Sequence, residues 1–307
     1  MKIGIVYGAC AVFIVAVTLI AAWAGRAFAQ SPAEPASYQH TIGDAVVISL
    51  PDVIRNMSVE IFSGAPAEEI NNLARNGIPS SIHSFLIKTG GHVVLIDTGN
   101  GKMDDPKSWL LPKLVQAGVK QSEVTHVLLT HLHGDHVGGL AWDGKAAFPN
   151  AQVLVSAPER DFWLSADTPA KFPTRAAMIE LVKAVFALYD GKVKTFAFGD
   201  APVPDIQALD ASGHTPGNTV FLLESAGKKL LLWGDTMHGA ALQFPNPSIC
   251  ASFDMDVPRA IQVRKNLMEM AMQEKIPVAG AHLPAQAVGM VKAGPAQGSY
   301  IYNPGLE

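Results

Sequence analysis

Short apolar runs and helical stripes divide the chain into recognisable elements. Val46-Val47-Ile48, Ser84-Phe85-Leu86-Ile87 and Val93-Val94-Leu95-Ile96 read as strands, the last two joined through Thr89-Gly90-Gly91 as a hairpin. Between them Pro66, Glu68 and Glu69 open a short helical pattern that Asn76-Gly77 closes, with the acids near its positive end. That segment is either a mobile cover over a site or a surface connection. Residues 106–118 predict a helix with Leu110, Leu111, Leu114 and Val115 on one face. Residues 124–130 predict a buried strand, and residues 174–189 a longer helix with Met178, Leu181, Val182, Val185 and Leu188 at helical spacing, stopped by Asp190-Gly191. Residues 220–223 and 230–233 are two further strands around Gly227-Lys228, and a last helix over 256–275 is halted by Pro277. Strand pairs alternating with helices give an α/β fold made of layers of both.

The first residues follow a different pattern. Lys2 precedes an uncharged run from Ile3 to Gly25, followed by Arg26 and Ala27-Phe28-Ala29. A short basic region, an apolar core and an A-x-A site predict a signal peptide over residues 1–29, removed before Gln30. An uncleaved membrane anchor is the alternative, since the run is long enough to span a bilayer. Cys10 precedes the apolar core, the wrong place for lipid attachment. Residues 30–40, rich in Pro, Ala and Ser, read as a flexible leader, with the folded part starting near Thr41. The expected location is therefore periplasmic or secreted, without stable membrane association after cleavage.

Composition narrows the function. A chain of 307 residues that is 49% hydrophobic can bury one large core or two small ones. Losing Lys2 and Arg26 with the signal would move the formal charge from −4 to −6. No basic patch or polybasic segment is visible, so nucleic acid is excluded as a partner and a small, uncharged or apolar molecule is the expected substrate. Only Cys250 would remain, and a single thiol, read as a small buried hydrophobe, makes no internal disulfide. A homodimer is compatible with the sequence, which leaves the oligomeric state open.

Chemistry concentrates where strands end. The strand over 124–130 runs into Thr130-His131-Leu132-His133-Gly134-Asp135-His136, and His214, Asp235 and His282 follow later. Five of the ten histidines fall in this set, which can serve as a complete ligand set for two metal ions. Imidazole and carboxylate at this density suit zinc, with other divalent metals as alternatives. His131 and His133 can aim at one ion from an extended or tightly turned backbone, while Gly134 permits a sharp turn that brings Asp135 and His136 to a second. A lone histidine would more often be structural, and His83, His92 and His126 are read that way. His238 is read as exposed or bonded to backbone, with the site as its alternative destination. Trp163, Phe172 and Phe244 are candidates for an apolar pocket wall, each with a core position as the alternative.

His131-x-His133-x-Asp135-His136 followed by Gly138-Gly139 resembles the signature of metallo-β-lactamase-fold hydrolases. The resemblance covers nearly the whole mature chain and extends to Leu95-Ile96-Asp97-Thr98-Gly99, Ser212-Gly213-His214-Thr215-Pro216-Gly217, Leu232-Trp233-Gly234-Asp235 and Ala281-His282-Leu283. It implies an αββα four-layer sandwich over a single domain, residues 41–307, with metals at one edge. It further implies that His131, His133 and His214 hold a first ion, that Asp135, His136 and His282 hold a second, and that Asp235 bridges them. Asp97 is expected to position ligands from behind, or to serve its turn, without binding an ion.

Finer matches narrow the branch. Common dinuclear zinc β-lactamases carry cysteine at the Asp235 position, and di-iron members carry glutamate at His133, so antibiotic hydrolysis is disfavoured and zinc favoured. Asp161-Phe162-Trp163-Leu164-Ser165, Gln243-Phe244 before Pro247-Ser248, and Phe253-Asp254-Met255-Asp256 are most similar to the methyl parathion hydrolase-like enzymes and, more distantly, to acyl-homoserine lactonases. Three departures stand against a full match. Asn218 replaces a further histidine, Lys102-Met103-Asp104 occupies the place of a pocket aromatic, and Ala285-Gln286 replaces an aromatic-proline pair. Phosphotriester hydrolysis is accordingly secondary to ester or lactone hydrolysis.

Two ions a few Å apart would hold a water that ionises near neutral pH and attacks the carbonyl or phosphoryl centre. Asp135 or Asp235 is the candidate to relay its proton. A persulfide dioxygenase-like mononuclear iron oxidoreductase on the same fold is the alternative enzyme class. A metal-binding protein without catalysis is the third reading.

Overall fold

A computed structural model describes residues 34–101, 108–284 and 286–306. The expected signal over 1–29, the leader's residues 30–33, Lys102-Met103-Asp104, Pro106 and Ala285 lie outside them. Two sheets carry the fold. The seven-stranded sheet runs Tyr38–Ile42, Ala45–Asn56, Pro79–Thr89, His92–Ile96, His126–Leu128, Gln152–Ser156 and Val193–Phe196 in spatial order. Its first four strands pair antiparallel and the rest parallel. The six-stranded sheet runs Ile206–Asp210, Thr219–Ser225, Lys228–Leu232, Val278–Ala279, Val288–Ala293 and Tyr300–Pro304.

The layering follows from strands buried on both faces. Phe85, Ile87, Val94, Ile96, Leu128 and Leu154 join Phe221, Leu223 and Leu231 in the core between the sheets. Their neighbours Leu86, Leu95, Val127, Val153 and Val155 point the other way, onto Leu110, Leu114, Trp163, Ile179 and Val182 of three helices. Side chains alternate with period two, so a strand with no polar face must be covered on both sides. Val263, Leu267, Met268 and Ala271 of the helix Val257–Gln273 cover the second sheet. The result is the αββα sandwich.

Several expectations need correction. The first strand starts at Tyr38, inside the expected leader, because Tyr38, His40 and Ile42 alternate inward on an edge strand with polar residues between them. The predicted helix over 106–118 is Leu110–Gln116, and Val115 is 68% exposed, off the buried face made by Leu110 and Leu114. In Ala176–Ala187 the buried stripe is Ile179, Val182, Val185 and Phe186, with Leu188 beyond its end and exposed. The segment holding the helix Ala67–Leu73 sits on its own small core of Phe62, Ile70, Ile78, Leu242 and Ile249, which anchors it as a packed connection.

A bulge between Pro51 and Val53 turns Asp52 into the interior. Its carboxylate accepts from the backbone N–H of Asn100, Trp109 and Leu110 and from the Ser108 hydroxyl, fixing the loop that follows Ile96. Burial pushes its carboxyl above the usual range, and these donors oppose the shift. On that loop's far side, a Cβ on Gly138 would meet the Asn100 carbonyl at 2.2 Å, and one on Gly139 the Thr98 carbonyl at 1.9 Å. Only glycine permits this contact, which ties the loop to the histidine cluster.

Candidate metal centre

Every residue of the proposed set lies just beyond a strand. His131 and His133 follow His126–Leu128, with His133 extended at φ −72°, ψ 157°. The short helix Gly134–Val137 then sends Asp135 and His136 the other way, as the turn at Gly134 predicts. His214 follows Ile206–Asp210, Asp235 follows Lys228–Leu232, and His282 follows Val278–Ala279. All seven side chains converge.

They form two groups. Nδ1 of His133 lies 3.0 Å from Nε2 of His131 and 3.0 Å from Nε2 of His214. Asp235 Oδ2 faces this group, 3.5 Å from His131 and 3.3 Å from His214. Its other oxygen, Oδ1, faces the second group, 3.0 Å from His136 Nε2 and 3.2 Å from His282 Nε2. Asp135 completes that group at 3.5 Å from His282 and 3.8 Å from His136. One carboxylate thus offers one oxygen to each cluster.

The outer nitrogens settle what the inner ones present. Nδ1 of His136 donates to Asp97 Oδ2 at 2.8 Å, that of His214 to Asp254 Oδ1 at 2.8 Å, and that of His282 to the Ser81 carbonyl at 2.7 Å. Thr130 Oγ1 gives its proton to Asp97, so it accepts from Nδ1 of His131 at 3.1 Å. Four imidazoles therefore turn Nε2 inward, toward one another and toward carboxylate oxygens. Buried His136 Nε2 and Asp235 Oδ1, 3.0 Å apart, make no well-directed hydrogen bond. Ring nitrogens and carboxylate oxygens crowded this way call for positive charge among them, as protons or as cations, so the residues fit divalent cations held by nitrogen and oxygen.

Titration points the same way. Burial opposes the ionised form of Asp235, yet His136, His282, His131 and His238 hold its carboxyl well below the usual range. Burial, then neighbouring imidazoles, pushes His131 and His133 down. His136 in one group is raised and His214 in the other is pushed up to about 9, each against burial, by Asp235 and by the carboxylate behind it. Both clusters call for positive charge.

Sequence reasoning missed several supporting residues. Fully buried Glu159 accepts from the backbone N–H of Leu132 at 2.9 Å, from that of Gly217 at 2.8 Å and from Trp163 Nε1 at 2.7 Å. It locks the His131–His133 loop to the His214 loop. Asp254 holds His214 and is itself met by Arg264 at 3.4 Å. His238, 1% exposed, places Nε2 3.0 Å from Asp235 Oδ2, so the reading of it as exposed is overturned. Its spacing three residues after Asp235 was the available signal. Asp97 takes the positioning role, in a left-handed turn at φ 56°. Asn218, donating to the Ala211 carbonyl at 3.0 Å, stands outside both groups.

A cavity of about 350 Å³ opens onto the centre, lined by Arg55, Met57, Asn100, His133, Asp135, Arg175, Met178, Phe253, His238 and His282 among others. The three predicted wall aromatics are not among them. Trp163 is buried beneath His133, edge-on at 5.7 Å, because its indole N–H is taken by Glu159. Phe244 is buried between Trp233 and Tyr302, and half-exposed Phe172 packs on Phe162. Met57, Met178 and Phe253 supply the apolar wall instead.

Comparison with known proteins bears on this geometry. The profile of the metallo-beta-lactamase superfamily matches residues 77–261, more than half of the chain, and takes in six of the seven converging residues, all but His282. The chain belongs to this superfamily. Among solved structures it is similar to the superfamily hydrolase AbOPH, at 30% identity and a TM-score of 0.83 over 88% of this chain and 98% of that one. It is also similar to AidC, a dizinc quorum-quenching lactonase, at 25% identity and a TM-score of 0.79 over 88% and 97%. An N-acyl homoserine lactonase of Bacillus sp. is 24% identical over 213 residues, 62% of this chain and 76% of its own. The chain spans about half the length of other curated relatives, 56% of one and 39% of another. Membership gives the chain the superfamily's fold, and proteins named as hydrolases and lactonases are among its relatives.

Proposed function

We propose that the protein is a dinuclear zinc hydrolase cleaving small esters or lactones, with phosphotriesters as secondary substrates. The observation that carries this reading is Asp235, whose two oxygens are divided between two histidine groups, each turning its own ring nitrogens inward. His131, His133 and His214 would hold one ion, Asp135, His136 and His282 the other, and Asp235 both. Bound there, two divalent cations supply a water acidified to near-neutral pKa and a Lewis acid for the substrate carbonyl.

The remaining work falls to the protein. Asp97, Asp254, Thr130 and the Ser81 carbonyl hold the imidazoles in one tautomer and one rotation. Met57, Met178 and Phe253 bind the apolar part of the substrate and exclude water from it. Asp135, 23% exposed at the cavity, is placed to take a proton from the attacking water or deliver it to the leaving oxygen. Similarity to AidC and to the Bacillus lactonase supports the lactone choice. The apolar run before Ala27-Phe28-Ala29 supports a periplasmic or secreted enzyme.

The test is metal content together with a panel of esters, lactones and phosphotriesters. Close to two zinc ions per chain are expected, with hydrolysis abolished in His131→Ala and Asp235→Ala. Turnover that survives complete chelation, or oxygen uptake with one iron per chain, overturns the proposal.

A further inference from the structure

We propose that Arg175 and the Nε2–H of His133 together form a receptor for a carboxylate on the substrate. This narrows the hydrolase reading, on which it rests, to esters or lactones that carry a second, anionic group.

Nδ1 of His133 is the atom that converges with His131 and His214, and on its other side Nε2 lies 3.1 Å from Nη1 of Arg175. A guanidinium has donors only, so in this contact Nε2 accepts and the ring proton sits on Nδ1. When Nδ1 gives its lone pair to a cation, the proton must sit on Nε2, and an N–H cannot accept from Arg175. Contact with Arg175 and coordination by His133 therefore exclude each other. In a metal-loaded protein both groups would be donors, which a shared acceptor can join.

Nothing else among the described residues satisfies this arginine fully. It keeps a long contact to the Phe253 carbonyl, 3.4 Å, and a place over the Trp163 ring, 5.9 Å from its centroid. The oxygens of Glu159, whose charge it feels, are occupied by Leu132, Gly217 and Trp163. A second guanidinium, Arg55, lines the same cavity and among the described residues is paired with Asp135 at 3.8 Å. A planar carboxylate offers one oxygen to Nη1 of Arg175 and one to Nε2–H of His133, satisfying both donors. This reverses the expectation of an uncharged substrate: overall acidity hid a local pair of arginines.

Equilibrium binding to the zinc-loaded full chain tests the receptor without turnover. Glutarate, which can place one carboxylate at the metals and the other at Arg175, is expected to bind at least about tenfold more tightly than butyrate. Arg175→Met should bring the two affinities together, and Arg175→Lys, which keeps the charge and loses the fork, should restore part of the difference. Nitrogen NMR of the His133 ring should place the proton on Nδ1 in the metal-free protein and on Nε2 in the loaded one. Equal affinities for glutarate and butyrate, or a glutarate preference that survives Arg175→Met, overturn the receptor. Tighter Arg175-dependent binding of methyl phosphate than of glutarate overturns the choice of carboxylate. An Arg175-dependent glutarate preference in a protein that cleaves no ester or lactone would reject the hydrolase reading and leave the receptor standing. Turnover of neutral esters without that preference would do the reverse.

Discussion

Asp97 and His136 are joined by a 2.8 Å hydrogen bond from Nδ1 to Oδ2, made from a left-handed turn at φ 56°. The same carboxylate accepts from the backbone N–H and the hydroxyl of Thr130, so it fixes His136 and the entrance to the histidine run together. Asp97→Asn should fold, since asparagine tolerates this backbone. Its amide can keep only one oxygen on these three donors, so zinc affinity at the His136 group should fall roughly 10- to 100-fold. A competitive chelator titration reads this, and unchanged affinity would remove Asp97 from the positioning network.

Glu159 is the second such clamp, reaching Leu132 and Gly217 from one buried carboxylate. Burial raises its pKa, while the donors around it oppose that shift. In Glu159→Gln an amide NH₂ replaces one oxygen and must face an N–H donor. We expect destabilisation of about 1–3 kcal/mol in urea unfolding of the metal-free protein. If the loss appears only in the zinc-loaded form, Glu159 acts on the metals and does not clamp the loops.

The contrast between these residues and the seven ligands explains what sequence can reveal. His131, His133, Asp135 and His136 were legible because four metal-binding side chains within six residues have no ordinary packing explanation. His214, Asp235 and His282 were legible through the turns that carry them. Glu159, Asp254 and Arg175 are single residues whose partners lie far along the chain, as Glu159 and Gly217 do at a separation of 58. No local pattern records such a pairing. The layers were legible because the strands are apolar on both faces, but the side of a large aromatic was not. Trp163 and Phe244 went to the core because burying them stabilises more than lining a wet cavity would.

Arg264 is 1% exposed and fully engaged, with Nε on the Thr236 carbonyl at 2.7 Å and Nη1 on those of Pro247 and Ile249 at 2.9 Å. Its Nη2 meets Asp254, which is held at about 2 against burial by the His214 hydrogen bond and the nearby His238, His214 and Arg264 charges. Arg264→Met would leave the Thr236 and Pro247 carbonyls without this donor in the interior and take the counter-charge from Asp254, while Ile249 keeps Gln243 Nε2. The expected loss is about 3–5 kcal/mol by chemical denaturation, accompanied by weaker metal binding at His214. A loss below about 1 kcal/mol would mean that water enters and replaces the guanidinium.

Tyr189 links stability to alkaline pH. Its hydroxyl accepts from the Phe148 N–H at 3.0 Å and donates to the Leu140 carbonyl at 2.9 Å, just past the glycine pair behind the metal centre. Burial pushes the phenol up to about 12, against about 10 for an unfolded tyrosine. The neutral form is thus favoured in the folded state, so the unfolded chain ionises first. Stability from this group is complete below pH 10 and is lost as pH rises from about 10 through about 12. Two pH units correspond to on the order of 2–3 kcal/mol. Tyr189→Phe should reduce the alkaline slope by this share and leave that of Tyr302, also raised by burial, as measured by urea unfolding of the metal-free protein between pH 8 and 12. The same substitution leaves the Phe148 N–H without its acceptor, so at pH 8 the variant should be less stable by about 1–3 kcal/mol. An alkaline slope that persists unchanged in Tyr189→Phe would assign it to other groups.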